Sequence, residues 1–282
     1  MDSDLALSRY RGNSGDFLKA VVKNIDGYED LADLVSQDKG TLKLFQNITD
    51  DNIINKLISL KGSTFWIERF IAMGIEGFDM LMSTLLEKLN KDGLSYTIEM
   101  ITLVTQSGSI WSNYVNWARW TDDTIKLFLG RVANQLGQNY VMKLVFHDDG
   151  NGPIIIRAAL RKIPTKNGYP VAAMVAHVTE RERREEIRNL INSSVTDFLQ
   201  KFTIWVLCFI QDFSRNDLLN LIKAITSVDN DSFRTGSVWS RYVDEQFYPS
   251  QIDKFLKCVS EELGEEEVIN LLLHDGGKGP VI

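Results

Sequence analysis

The chain has 282 residues, 44% of them hydrophobic, 24% charged and 10% aromatic, which excludes a disordered chain and allows one large domain or two ordinary ones burying about 75% of the unfolded surface. Thirty-one Lys and Arg against 38 Asp and Glu leave a formal charge of −7. That balance repels phosphate backbones unless the cations share one face, so nucleic acid is disfavoured as a partner.

Residues 1–14 are acidic at Asp2 and Asp4 and carry no continuous apolar run, so they read as a short flexible leader and not as a secretory signal. From there on, a small residue followed by an apolar stretch of helical period recurs at Gly15, Gly62, Gly108, Gly152, Ser194, Gly236 and Gly279, at intervals of 47, 46, 44, 42, 42 and 43 residues. The longest echo is Gly108-Ser-Ile-Trp-Ser-Asn-Tyr-Val115, which returns as Gly236-Ser-Val-Trp-Ser-Arg-Tyr-Val243, a shift of 128. Leu136-Gly137 returns as Leu263-Gly264, and His147-Asp-Asp-Gly-Asn-Gly-Pro153 as His274-Asp-Gly-Gly-Lys-Gly-Pro280, both shifted by 127. This reads as three units of about 43 residues seen at once, with a one-residue indel in a loop.

Within the unit that opens at Gly108, Trp111, Tyr114, Val115 and Ala118 lie on one helical stripe and predict a first helix. Thr121-Asp-Asp supplies an N-cap for a second helix bearing Ile125, Phe128, Leu129 and Val132. Leu136-Gly137 ends it, and Tyr140, Val141, Leu144 and Val145 make a third stripe before the turn at Asp148 to Gly152. Gly152-Pro-Ile-Ile-Ile156 is compatible with a short extended stretch. Ser214-x-x-Asp217 precedes LLNLIKAI as a capping box, and Pro249-Ser250 precedes IDKFLKCV. Period-two alternation is too short anywhere to predict a strand.

The expected fold is therefore all-α, a right-handed helical-repeat solenoid of about six units of roughly 43 residues with two to three helices each, because such units bury their apolar faces only by stacking. Residues 15–282 are expected to form a single array with units near 15–61, 62–107, 108–151, 152–193, 194–235 and 236–278. The chain stops at Gly279-Pro-Val-Ile282 where another first helix is due, so the last repeat reads as truncated.

Gly152-Pro-Ile-Ile-Ile-Arg-Ala-Ala159 resembles the ankyrin signature Gly-x-Thr-Pro-Leu-His-x-Ala-Ala, although Thr-Pro-Leu-His is absent from every copy and the period exceeds the roughly 33 residues of that family. The period and the three-helix unit instead resemble armadillo and HEAT repeats, which lack this glycine-rich turn. A divergent ankyrin-like or armadillo/HEAT-like array over residues 15–282 implies a scaffold that binds partners and has no catalysis of its own.

Candidate chemistry is sparse. Gly276-Gly-Lys-Gly279 lacks the Ser or Thr of a P-loop, and Gly150-x-Gly152 lacks the third glycine of a dinucleotide fingerprint, so both read as turns between repeats. His147 and His274 each precede Asp, but a duplicated His fits a helix C-terminus, where an imidazolium meets the negative dipole end. His177 has no metal-spaced partner and reads as a core or boundary histidine. Asp229-Asn-Asp-Ser-Phe-Arg departs from a calcium loop at Phe233 and reads as a linker. In Glu180 to Arg188, the pairs Glu180/Arg184 and Arg181/Glu185 predict an exposed, ion-paired helix face.

Cys208 and Cys258 read as reduced core residues of an intracellular, cytoplasmic protein. The longest apolar run, Phe202 to Ile210, is too short for the roughly 20 residues of a membrane span. No catalytic, cofactor or metal site is expected.

The best contact candidate comes from a difference between copies. Trp117 lies off the Trp111/Val115/Ala118 stripe, and its counterpart is Glu245; an indole where the sister copy carries a carboxylate is expected to be partly exposed. With Arg119 and Trp120 it forms the expected partner-binding patch, Trp and Arg being common interface anchors. The functions considered, in order, are a protein-binding scaffold, a nucleic-acid-binding solenoid and an enzyme. The second would need a basic stripe, yet Asn113 answers Arg241 while Arg119 answers Phe247.

Overall fold

A computed structural model describes residues 28–36, 42–43, 45, 48, 50–116, 122–160, 170–229, 236–244, 249–276 and 279–280. They are almost entirely helical, in agreement with an all-α fold. In chain order the helices are α1 (Tyr28–Ser36), α2 (Asp51–Lys61), α3 (Ser63–Ile71), α4 (Ile75–Thr84), α5 (Lys91–Thr102), α6 (Ile110–Asn116), α7 (Asp122–Leu136), α8 (Gln138–Val145), α9 (Ile154–Ala159), α10 (Pro170–Ala176), α11 (Arg181–Ser194), α12 (Phe198–Cys208) and α13 (Arg215–Thr226). After β1 (Val228–Asp229) and β2 (Gly236–Ser237), an antiparallel pair of two residues each, come α14 (Val238–Asp244), α15 (Pro249–Leu263) and α16 (Glu265–Leu272). Single 3-10 turns at Leu86–Lys88 and Ile210–Asp212 follow α4 and α12.

The helix boundaries follow local chemistry. Asp50, Asn90 and Asp197 cap α2, α5 and α12 through side-chain carbonyl or carboxylate oxygens, and Ser214 with Asp217 forms the expected capping box on α13. Gly152 to Ile156 departs from the extended expectation. Pro153 presets its φ at −54°, and Ile154, Ile155, Ala158 and Ala159 are buried at helical spacing, so the segment enters α9.

The chain forms two compact units, one of residues 1–117 with 127–151 and the other of residues 118–126 with 152–282. In the first, α3 packs on α2, α4 and α5, and α6 packs on α4 and α5. In the second, α14 packs in the same way on α12 and α13, while α15 packs on α12, α13 and α16.

The echo in the sequence is matched element by element. Helices α6 and α14 begin and end 128 residues apart; α7 and α15, and α8 and α16, do so 127 apart. The one-residue slip therefore falls between α6 and α7, as it does between α14 and α15. Further back, the end of α4 answers that of α12, and both ends of α5 answer those of α13, at a shift of 124. Five helices thus correspond between units.

At the centre of each unit four rings meet. Phe78 lies edge-on to Tyr114 at 4.7 Å and to Phe128 at 5.5 Å, with Trp111 5.7 Å from Phe128. Their counterparts Phe202, Tyr242, Phe255 and Trp239 repeat these contacts at 4.8, 5.2 and 5.5 Å. Edge-to-face packing of this kind adds to the burial of the rings themselves. Phe78→Ala and Phe202→Ala are each expected to destabilise the protein by about 3–5 kcal/mol, measured by urea unfolding.

Candidate functional site

Each duplicated histidine, just beyond the end of α8 or α16, meets a serine at the start of the helix packed beside it. His147 Nε2 lies 2.9 Å from Ser109 Oγ, and His274 Nε2 lies 3.0 Å from Ser237 Oγ. Each serine hydroxyl also accepts the backbone N–H of Ser112 or Ser240, at 3.1 Å in both units, and so caps α6 or α14. Beside this pair, Trp111 Nε1 donates to Leu144 O and Trp239 Nε1 to Leu271 O, both at 2.8 Å. Serine, histidine and tryptophan together tie α6 to the end of α8 and α14 to the end of α16. Both serines are 0% exposed, so neither hydroxyl is accessible to a substrate.

Close packing surrounds these caps. Gly108 and Gly236 hold φ at 86° and 113°, which L side chains rarely adopt. A Cβ on Gly108 would stand 2.8 Å from Asp149 Oδ2, and one on Gly236 would stand 2.9 Å from Gly276 O.

Trp117, Arg119 and Trp120, the patch expected from sequence, lie outside the described residues, as do Glu245, Thr121 and the linker after Asp229. His177 is half-buried, and burial, with Lys126 adding to it, lowers its pKa. The charged run on α11 pairs differently from the i, i+4 expectation. Arg184 reaches across to Asp212 at 2.8 Å and to Cys208 O at 2.7 Å; Arg183 pairs with Glu180, and Arg188 with Glu185. Tertiary acceptors on and beyond α12 outcompete the local carboxylate for Arg184, because that arginine faces inward. Cys208 is buried; Cys258 is only partly so. Burial pushes the Cys258 thiol up, and Glu262 and Glu261 add to the shift.

The second unit also holds a groove that sequence reasoning missed. Phe198 and Trp205 of α12, Phe213 after it, and Leu221 and Ala224 of α13 line a cavity of about 300 Å³, walled by Arg188 and Asn192 of α11. Phe198 and Trp205 stand perpendicular, 5.6 Å apart. Trp205 Nε1 donates to Asn192 Oδ1 at 2.9 Å. The Arg188 guanidinium lies 5.4 Å from the ring centres of both Phe209 and Phe213, and its buried Nε has no hydrogen-bond partner. Asp217 borders the groove, its carboxyl held below the usual range by the Ser214 hydroxyl and N–H, with Arg188 adding. The three rings lining the groove are only half-buried. A periodicity argument does not find them, since on one sequence they look like core positions.

Among the described residues, no group of three or more His, Cys, Asp or Glu is placed to hold a metal ion, and no helix is long and apolar enough to cross a membrane. Comparison with family models, with curated proteins and with solved structures gave no match.

Two measurements follow from this geometry. A double-mutant cycle of Ser237→Ala and His274→Ala should give a coupling of about 0.5–1 kcal/mol in unfolding free energy, whereas independent roles would give additive losses. Asp217 titrates lower when folded than when unfolded, so its contribution is complete above the unfolded pKa and lost as pH falls through the folded one. Asp217→Asn should therefore flatten that part of the acid-unfolding profile; an unchanged profile would contradict the assignment.

Proposed function

We propose that this chain is a helical-repeat scaffold, of a divergent ankyrin-like or armadillo/HEAT-like kind, that binds a partner protein through exposed helical surface and has no catalysis of its own. The observation that carries this reading is the aromatic groove of the second unit, where three half-buried rings border solvent on a rigid helical frame. Clusters of aromatic and arginine side chains of this sort are the usual energetic centres of protein interfaces. The duplicated Ser and His side chains support the same reading, because the groups most able to do chemistry are occupied in capping helices. Trp117, Arg119 and Trp120 form a second proposed contact patch, and the acidic net charge favours protein over nucleic acid. The proposed setting is intracellular.

The test is affinity capture by the full chain from nuclease-treated and untreated extracts, comparing wild type with Trp117→Ala and Trp205→Ala. Specific proteins retained in both extracts and lost from a variant with unchanged circular dichroism are expected. Retention of nucleic acid alone would overturn the proposal.

A further inference from the structure

In the first unit, one arginine closes the junction between α7 and the 3-10 turn at Leu86–Lys88. Arg131 Nη1 lies 3.3 Å from the Glu87 carboxylate, and Nη2 donates to Glu87 O at 2.9 Å and to Leu89 O at 3.1 Å. Only 21% of its side chain is exposed. A guanidinium forks onto several oxygens in this way because its donors lie in one plane at fixed angles.

The second unit has the same junction without the arginine. The turn Ile210–Asp212 answers Leu86–Lys88 at the shift of 124, and α15 answers α7 at 127, so Cys258 stands where the first unit has Arg131. Its side chain ends several bonds short of a guanidinium, and its Sγ donates to Ile210 O at 3.6 Å. Gln211 O, the counterpart of Glu87 O, meets no donor among the described residues. Beside Cys258 a cavity of about 540 Å³ opens, bordered by Gln211 on one side and by Asp253, Glu261 and Glu262 of α15 on the other.

The charge at the junction changes as well. One turn after Arg131 is Gln135, whereas one turn after Cys258 is Glu262, so the same helix face has lost a cation and gained a carboxylate. Both lysines at the cavity are engaged: Lys254 Nζ donates to Leu207 O at 3.1 Å, and Lys257 pairs with Glu261 at 3.8 Å. Asp253 and Glu262 form no ion pair among the described residues. At the thiol, burial raises the pKa first, and Glu262 and Glu261 raise it further against an opposing Lys254, so the local potential is negative.

We propose that this cavity binds an alkylguanidinium, carried by an arginine side chain of another protein or by a free guanidino compound, in the place that Arg131 fills in the first unit. Its forked donors meet the oxygens of Gln211, and its charge meets Glu262 and Asp253. An ammonium, a point charge without the fork, fits the same place less well. The site stands apart from the Trp117 patch and from the aromatic groove, so its failure leaves the scaffold reading as it was.

The test follows alkylation of Cys258 in the full chain by iodoacetamide, read by mass spectrometry at constant ionic strength, as n-butylguanidinium is added. Saturable protection is expected, with n-butylammonium weaker by about threefold or more. Glu262→Gln should weaken protection by about two- to fivefold, and Glu266→Gln, on α16 and outside the cavity, should leave it unchanged. n-Butylguanidinium should also raise the melting temperature of the wild type but not that of Cys258→Arg, whose own guanidinium takes the place. If Cys258→Arg fails to fold, the Glu262→Gln comparison on the native thiol decides alone. The peptide acetyl-Gly-Arg-Gly-amide separates the two sources. Protection at a concentration no higher than that of n-butylguanidinium assigns the site to a protein side chain; weaker protection assigns it to a small ligand. No saturable protection, equal protection by n-butylammonium, or protection unaltered by Glu262→Gln overturns the proposal.

Discussion

The helices shared by the two units meet, in each unit, at a cluster of four rings in which one Phe lies edge-on to a Tyr and a second Phe and a Trp lies tilted against the latter. Phe78 and Phe202 each come from the helix that starts the shared five-helix motif, and each is met by a Tyr and a Phe from the helices that follow, with a Trp completing the group. Rings of this size bury large apolar areas but tolerate little displacement, because both their packing and their quadrupoles are orientation-dependent. Fixing Trp111 and Trp239 also fixes their indole N–H groups, which must find acceptors once buried. The carbonyls of Leu144 and Leu271 meet that need. In this way a ring cluster sets the distance between α6 and α8, and between α14 and α16, and the serine–histidine contacts close the corner beside it.

The polar details are solved differently around this shared centre. Tyr114 donates to Asp79 at 3.2 Å, whereas Tyr242 donates to Gln251 at 2.8 Å. Asp149 accepts the Ser109 N–H in the first unit, while its counterpart Gly276 brings a bare backbone against Ser240 in the second. A buried hydroxyl or amide requires some partner, but not a particular one. The ring cluster and the Ser–His and Trp–carbonyl contacts are therefore kept between the units, while the partners of the buried tyrosine hydroxyl and of the capping serine's N–H differ.

That difference explains what was legible in the sequence. The Gly-Ser-x-Trp-Ser-x-Tyr-Val segment was visible because a positive-φ glycine, a capping serine, a buried tryptophan and a buried tyrosine all fall within eight residues. The start of the motif was not. Around Phe78 and Phe202 the sequences read FDMLMST and FTIWVLC, where any apolar residue of suitable size serves and only the ring is held in common. The groove was invisible for a related reason. Trp205 and Phe213 sit at positions that are core in the first unit, where Leu81 and Leu89 are buried, yet are themselves only half-buried. Sequence periodicity reports which residues are apolar, not whether a neighbouring helix can come close enough to cover them. The subdivision into units of about 43 residues rests on glycine spacing, whereas the contacts recur at 124 to 128.

The central claim is that one buried architecture is present twice and that the units differ at their surfaces. Native-state hydrogen exchange on the full chain tests it most directly, because the slowest amides mark the elements that open only with global unfolding. The account predicts that the most protected amides fall at equivalent places in both units, in α4 with α6 and in α12 with α14, around Phe78, Trp111, Phe202 and Trp239. Protection confined to one unit, or centred on helices that do not correspond, would contradict it.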